Sequence, residues 1–304
     1  MEFRKLKTYA LLSLSILSLI ACSSDDGEQA EQAEPENLDG LTAVTIISRT
    51  DQGSLSSGLE AGLYMVNFLN GQHDDLLTSS NYVNNQLLTW TNNAWSTETP
   101  IYWNDMETKA DFYAYAPYQQ TVSNARQMPF SVQVNQNANG ALELSDFLWG
   151  NIQEQSPTAE SFNLTLTHQF SRLTVTVIAE QGFDENELQA NEVAVTIGGT
   201  KTNCQIDLKT GEGTTTGVAE DVLCRNNGDL TYTAILIPQK VPFSNLIQVD
   251  WKGNKYTLQN SFNLEAKRQY SLTVKLKKTK SGFDIGIAGW DIIGEDFGGV
   301  IGGN

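Results

Sequence analysis

The chain has 304 residues, and its 36 acidic and 19 basic side chains give it a formal net charge of −17 at pH 7. This charge repels nucleic-acid phosphates, so the composition excludes nucleic acid as a partner. The sequence has two histidines and three cysteines, and their spacing does not match that of a metal site. It also contains neither the Gly-x-Ser-x-Gly motif of a nucleophile elbow nor a glycine-rich phosphate-binding motif. We therefore expect no enzyme activity, no catalytic residues, no metal and no cofactor.

Residues 1–21 predict a bacterial lipoprotein signal peptide. A basic start is followed by an apolar run over residues 10–21, which is shorter than the roughly 20 residues that span a bilayer. Small residues then precede Cys22, as a lipoprotein peptidase requires. We expect Cys22 to become the lipidated N-terminus and to anchor the chain in the outer-membrane lipid through acyl chains.

Residues 22–40 are acidic and poor in apolar side chains, which predicts a disordered tether. From residue 41 onward, apolar and polar residues alternate with a period of two, as in Arg172 to Ile178 and Tyr270 to Leu276. A two-residue hairpin turn is predicted at Gly253-Asn254, and the one predicted helix covers Asp184 to Glu192. Further strands are predicted at Leu63 to Leu69, Phe112 to Ala116, Phe130 to Val134, Glu192 to Ile197, Asn203 to Leu208 and Tyr232 to Ile237.

These short strands predict an all-β fold of antiparallel sandwiches. The length allows two domains, and a polar stretch near residues 155–160 suggests the boundary. We expect an N-terminal β-sandwich domain over residues 41–160 and a C-terminal one over 161–304.

Cysteines 204 and 224 remain once Cys22 carries lipid. An oxidising compartment would allow them to form a disulfide, and two free buried thiols are the alternative. The sequence leaves both alternatives open.

The histidines and aromatic residues permit few binding sites. His168 lies in a predicted strand, where a hydrogen-bonded structural role is favoured over metal ligation. The aromatic residues are interpreted as sandwich core, with a sugar-stacking platform as the alternative. They are Trp90, Trp95, Tyr102, Trp103, Tyr113 and Tyr115.

Both ends of the folded region carry apolar residues beside flexible segments. An apolar strand with Val44, Ile46 and Ile47 ends at Arg49, and the polar segment from Arg49 to Gly53 is of the kind that proteases reach. At the other end, residues 284–304 form a glycine-rich tail that can swing away from its own domain. Its apolar residues are Ile285, Ile287, Ile292, Ile293, Val300 and Ile301.

Several landmarks resemble those of the Bacteroidetes fimbrillins, the pilins of type V pili. They are the lipobox cysteine, Pro100 to Asn104, Ala110 to Pro117, Asp146 to Gly150, Leu166 to Leu173, Tyr270 to Val274 and Gly289-Trp290. The resemblance covers nearly the whole chain. It implies two transthyretin-like β-sandwich domains, export as a lipoprotein, and trypsin-like cleavage between Arg49 and Thr50 that removes strand 41–49.

The resemblance further implies head-to-tail assembly with other pilin subunits by strand exchange. Residues 41–49 would then be the displaced strand and the tail, about residues 284–304, the donor. We expect the chain first on the outer membrane and then in a fimbria on the cell surface, where it supports adhesion to a host or bacterial ligand. The alternative is a permanently anchored lipoprotein, or a tip adhesin, that binds glycans through its aromatic residues.

Overall fold

The computed structural model describes residues 42–44, 46–47, 56–92, 94–179, 182–183, 187–278, 285–287 and 292–296. The signal peptide and the tether predicted from the sequence lie outside these residues. Within them, the strands in chain order are β1 (Ile46–Ile47), β2 (Glu60–Asn67), β3 (Val83–Thr91), β4 (Ala94–Ser96), β5 (Ala110–Ala116), β6 (Met128–Ser131), β7 (Leu148–Gln155), β8 (Phe162–Asn163), β9 (Thr167–His168), β10 (Ser171–Ala179), β11 (Val193–Asp207), β12 (Glu212–Leu223), β13 (Arg225–Gly228), β14 (Thr231–Leu236), β15 (Gln239–Trp251), β16 (Asn254–Leu264), β17 (Arg268–Lys278), β18 (Ile285–Ile287) and β19 (Ile292–Asp296). The helical segments are α1 (Ala141–Ser145) and a 3-10 turn at Ala190–Glu192.

The all-β fold class is confirmed. None of the helices in the described ranges has the length and apolar character that a membrane crossing requires.

The N-terminal half is built on a six-stranded antiparallel sheet in the order β4-β3-β2-β5-β7-β9. All seven residues of its central strand β5 are buried, because both faces of the sheet are covered. Phe112 packs in a core cluster with Ile46 on one face, and Tyr113 packs with Phe147 and Ile206 on the other. This sheet therefore separates two apolar cores.

The C-terminal half contains two sheets whose apolar side chains meet in a shared core. One has the order β13-β14-β10-β17-β18, and the other has the order β12-β11-β15-β16. Val175 and Val177 of β10 belong to the same cluster as Ile197 of β11 and Val249 of β15. The predicted alternation is confirmed in β10, where buried and half-buried residues alternate from Ser171 to Ile178.

The two halves are joined by strand pairing and by a shared apolar core. Strand β6 pairs antiparallel with Asn203–Ile206 of β11, and β8 and β9 pair with β1 and β7 in the N-terminal half. The fully buried Gln136 accepts a hydrogen bond from the Ile235 amide at 2.8 Å and donates one to its carbonyl at 2.7 Å. The domain boundary near residue 160 stays a prediction.

Several local features differ from the sequence-based expectations. Of the described residues in the helix predicted over Asp184 to Glu192, those that are helical form the 3-10 turn at Ala190–Glu192. The hairpin between β15 and β16 turns at Lys252-Gly253, with φ angles of 52° and 81°, because Trp251 pairs with Asn254. Helix α1 was not predicted. The two strands predicted over residues 192–208 are one long strand, β11, which glycine bulges near residue 198 bend without ending it.

Cys204 and Cys224 are free thiols in the structure. Cys204 packs with Phe130 and Ile206, whereas Cys224 belongs to the core between the two C-terminal sheets. Burial raises the pKa of each thiol to about 12. Because the thiolate is the reactive form, both side chains are inert at neutral pH.

We therefore expect iodoacetamide at pH 8 to leave both cysteines unmodified in the folded protein and to modify both in denaturant. Intact mass of a chain that starts after Cys22 checks this. A mass that rises on reduction would contradict the free-thiol state.

Candidate functional site

The candidate site is the place where the predicted removable strand meets the N-terminal sandwich. Residues 42–44 lie against residues 101–103. The Val44 amide donates to the Ile101 carbonyl at 2.8 Å, and the Trp103 amide donates to the Thr42 carbonyl at 2.9 Å. Ala43 and Tyr102 form the antiparallel bridge between these bonds.

The other neighbour of this segment is β8. Ile46 and Ile47 of β1 pair in parallel with Phe162 and Asn163. Residues 42–47 thus connect two chain segments, 101–103 and 162–163, which we call the walls of the groove.

The floor of the groove is a cluster of three aromatic rings, those of Trp103, Phe112 and Phe162; the backbones of Trp103 and Phe162 belong to the walls. The ring centroids lie 5.6 Å apart for Trp103 and Phe112, 5.0 Å for Phe112 and Phe162, and 6.1 Å for Trp103 and Phe162. Ile46 is 7% exposed and belongs to this core, and Val44 packs against it. The Trp103 indole donates to the Thr158 carbonyl at 3.0 Å, which ties the floor to the loop before β8.

This arrangement is suited to holding a strand. Main-chain hydrogen bonds fix the direction of the strand, and the apolar floor receives its inward side chains. Burying one isoleucine side chain contributes about 1.5 to 3 kcal/mol. Removing residues 42–47 would expose backbone groups on both walls together with the aromatic floor.

The structure brings some of the predicted site residues together. Val44 and Ile46 lie in the groove, and Ile47 continues the same strand. Cys22, Arg49, Thr50, Val300 and Ile301 lie outside the described residues.

The predicted donor tail contributes two described strands, both paired with the chain's own β17. Ile285 and Ile287 of β18 are in register with Lys278 and Leu276. Ile292 and Ile293 of β19 are in register with Leu272 and Ser271. In this state the tail therefore covers one edge of β17.

The core interpretation of the aromatic residues is confirmed for four of the six: Trp90, Trp103, Tyr113 and Tyr115 are buried. The other two, Trp95 and Tyr102, are half-buried. The expectation for His168 is also confirmed, since its Nδ1 lies 2.9 Å from Asp146 Oδ1. Within the described residues, no group of three histidine, cysteine or acidic side chains could hold a metal ion.

Sequence reasoning missed a polar cluster centred on His73. His73 Nδ1 lies 2.8 Å from Asp111 Oδ2, and its Nε2 lies 3.0 Å from Glu154 Oε1. Lys109 Nζ lies 3.3 Å from the second Glu154 oxygen. Asp111 and Glu154 are 38 and 81 residues from His73 in the chain, so no local sequence pattern indicates the cluster.

The electrostatics of this cluster favour a charged His73. The hydrogen bond to Asp111 raises the pKa of His73 above its ordinary value, Glu154 adds to the rise, and desolvation opposes it. His73 and Lys109 in turn lower the pKa of Glu154.

One family model and many solved structures match this chain. Residues 48–290 match a family model described as fimbrillin-like. The chain resembles a crystal structure of a candidate cell adhesion protein from Bacteroides uniformis, with a TM-score of 0.64, 18% identity, and coverage of 86% of this chain and 100% of the other. A candidate cell adhesion protein from Bacteroides ovatus gives a TM-score of 0.58 at 16% identity, covering 83% of this chain and 96% of the other. None of the curated proteins compared with the chain matches it.

Proposed function

Because the chain belongs to the fimbrillin-like family, we propose that it is a subunit of a cell-surface fimbria that assembles by strand exchange. In this proposal, residues 41–49 are a temporary strand that a trypsin-like protease removes after Arg49. A strand from the C-terminal tail of a neighbouring subunit then takes its place. Each subunit accepts one strand and donates another, so the assembly is head-to-tail and open, which produces a filament.

One observation carries the proposal: residues 42–47 complete the N-terminal sandwich, yet they are held by segments distant in the chain. Their partners are residues 101–103 and 162–163, and Ile46 fills an aromatic core. A sandwich that lost this strand would expose unpaired backbone and apolar surface, which favours capture of a replacement. The resemblance to fimbrillins supplies the source of that replacement.

The proposal places the precursor on the outer membrane, anchored through lipid on Cys22, and the processed subunit in a fimbria on the cell surface. Its partners are other pilin subunits. The resemblance to candidate cell adhesion proteins supports a role in adhesion to host or bacterial surfaces. In the alternative of a permanently anchored, glycan-binding lipoprotein, residues 41–49 stay in place, whereas a tip adhesin combines assembly into the fimbria with glycan binding.

Limited trypsin treatment of a chain that starts at Ser23 tests the proposal. We expect one early cut, after Arg49, followed by growth of oligomers, since the vacated groove binds a neighbour's tail. Mass spectrometry identifies the cut, and light scattering after size-exclusion chromatography gives the oligomer size.

Two variants serve as controls for this experiment. Arg49→Gln should resist the cut and stay monomeric. A chain that ends at Trp290 should be cut normally but assemble poorly, because it lacks most of the donor tail. A wild-type protein that is cut after Arg49 and stays monomeric would overturn the proposal, and resistance of Arg49 to trypsin would favour the anchored alternative.

A further inference from the structure

A cleft of about 760 Å³ opens at the end of the N-terminal sheet where β2 ends and β5 begins. Its described lining comes from three parts of the chain: residues 68 and 70–73 after β2, residues 107–109 before β5, and Glu154 near the end of β7. Asp111 of β5 contacts this lining, and successive residues of a strand point to opposite faces, so Phe112 points the other way, into the groove. The cleft is therefore a site separate from the groove, and its volume lies in the range of about 300 to 1,000 Å³ that is usual for small-ligand sites.

One side of the cleft is a tight two-residue turn at Asn70-Gly71. The φ angles there are 52° and 75°, which asparagine and glycine tolerate better than other residues. Leu69 and Gln72 exchange both main-chain hydrogen bonds across the turn, at 2.9 and 3.1 Å. This side is held in one conformation by its own backbone.

A second side is held by the Asp105 carboxylate. Its Oδ1 accepts the amides of Glu107 and Thr108, and its Oδ2 accepts the Thr108 hydroxyl at 2.7 Å. The Phe68 amide donates to the Lys109 carbonyl at 2.9 Å and joins the two sides. Because the lining is already ordered, a ligand that enters the cleft pays little for ordering it.

The polar groups of the cleft are held in the same way. The buried Asp111 accepts the Glu154 amide through Oδ1 at 2.8 Å, and its Oδ2 lies 2.8 Å from His73 Nδ1. Glu154 in turn contacts both His73 and Lys109. It keeps this position at a φ of 55°, which costs free energy outside glycine and persists only where the surroundings hold it. The charged groups are thus positioned before any ligand arrives, as a binding site requires.

The charges in the cleft offset one another, which disfavours a strongly charged ligand. An anion would meet the carboxylates of Glu107 and Glu154, on a chain whose net charge is −17. A cation would meet Lys109 and His73, and the hydrogen bond to Asp111 raises the pKa of His73. A neutral ligand rich in hydroxyl groups meets neither penalty, because each hydroxyl can both donate and accept a hydrogen bond.

Resting on the adhesive role in the proposed function, we propose that this cleft binds a neutral glycan. The carboxylates of Glu107 and Glu154 accept hydrogen bonds from sugar hydroxyls, and the Lys109 ammonium donates one. The side-chain amides of Asn70 and Gln72 can donate and accept.

An aromatic ring completes the site. Phe68 is half-buried, lines the cleft, and packs on His73 with ring centroids 4.5 Å apart. Such a ring offers an apolar surface to the C–H face of a sugar. The described residues that line the cleft include none of the six aromatic residues first considered for sugar stacking, so this is a different site from the one considered as an alternative on the sequence alone.

Glycan binding by the uncut chain that starts at Ser23 tests this inference. The chain is biotinylated at its N-terminus and mounted on fluorescent streptavidin, because several copies on one carrier raise the avidity. The probe is an array of neutral oligosaccharides together with sialylated and sulphated ones. We expect binding to at least one group of neutral glycans. Binding to none of them, or to charged glycans alone, would overturn the inference.

Two variants locate the binding site. Glu107→Ala and Lys109→Ala truncate exposed side chains, so both should fold, which circular dichroism checks. Each should weaken the affinity for the strongest neutral oligosaccharide about tenfold, the effect of losing one hydrogen bond to a charged group, as measured by titration calorimetry. Glu212→Ala is the matched control, because it removes an exposed carboxylate on β12, outside the cleft, and it should bind as wild type does. Wild-type affinity in both cleft variants would overturn the inference.

The glycan measurement is independent of strand exchange, because residues 41–49 stay in place throughout. Assembly after trypsin treatment without any glycan binding would count against this inference alone. Glycan binding by a chain that does not assemble would support the inference and count against strand exchange.

Discussion

Replacing Phe112 by alanine is expected to lower the free energy of unfolding by about 3 to 5 kcal/mol, the range for large buried aromatic residues. Phe112 is fully buried and contacts both Trp103 and Phe162. Hydrogen bonds to Thr42 and Thr158 hold Trp103, and strand pairing in β8 holds Phe162, so these neighbours cannot close the space. The variant should also lose residues 42–47 more readily, because Ile46 packs in the same core.

Denaturant unfolding of wild type and variant measures this loss. Phe243→Ala is the matched control, since that ring is 71% exposed, and it should change stability by less than about 0.5 kcal/mol. Equal effects of the two substitutions would show that the aromatic floor is not a closely packed core.

The second large effect is expected from Gly150→Ala in β7. A Cβ at this position would lie 2.0 Å from the Thr165 carbonyl oxygen, and a backbone atom cannot rotate away as a side chain can. The segment from Leu164 to Leu166 must then move, together with the two leucines that it contributes to the groove core. We expect a loss of about 3 kcal/mol, at the upper end of the usual cost of overpacking.

Thermal unfolding monitored by circular dichroism checks this prediction, with Gly213→Ala as its control. At position 213 the closest atom is the flexible end of Ile206, at 2.9 Å, so a small side-chain adjustment suffices. A Gly150→Ala variant that unfolds at the wild-type temperature would mean that residues 164–166 are free to shift.

The strands could be predicted from the sequence because a half-buried strand imposes a period of two. Leu173, Val175 and Val177 alternate with threonines, and the structure buries the apolar set. Strand β5 is also predictable, although its burial on both faces removes the alternation. Helix α1 has five residues, which is too short for a helical period to appear, and it was missed.

Pairing between distant strands was harder to predict. Strand β10 runs parallel to β17 and β1 parallel to β8, while the alternating pattern of each strand is the same in parallel and antiparallel pairs. The hairpin turn predicted at Gly253-Asn254 lies one residue earlier, at Lys252-Gly253, for a related reason. A glycine identifies a turn, but the register of the two strands decides which residues form it.

The groove was predicted in part. The apolar character of Val44 and Ile46 indicated a strand that packs on a core, whereas its two walls could be identified only in the folded structure. The His73 cluster could not be predicted, because histidine and carboxylates are common surface residues and these three come from separate elements.

The position of the groove walls has a consequence for the order in which the molecule folds. Residues 42–47 leave the ribosome before residues 101–103 and 162–163, against which they pack. Contacts between residues so far apart in the chain form late, after the intervening chain has been ordered. The first of the described strands to be synthesised is thus among the last to dock, and a chain still under synthesis carries it without its partners.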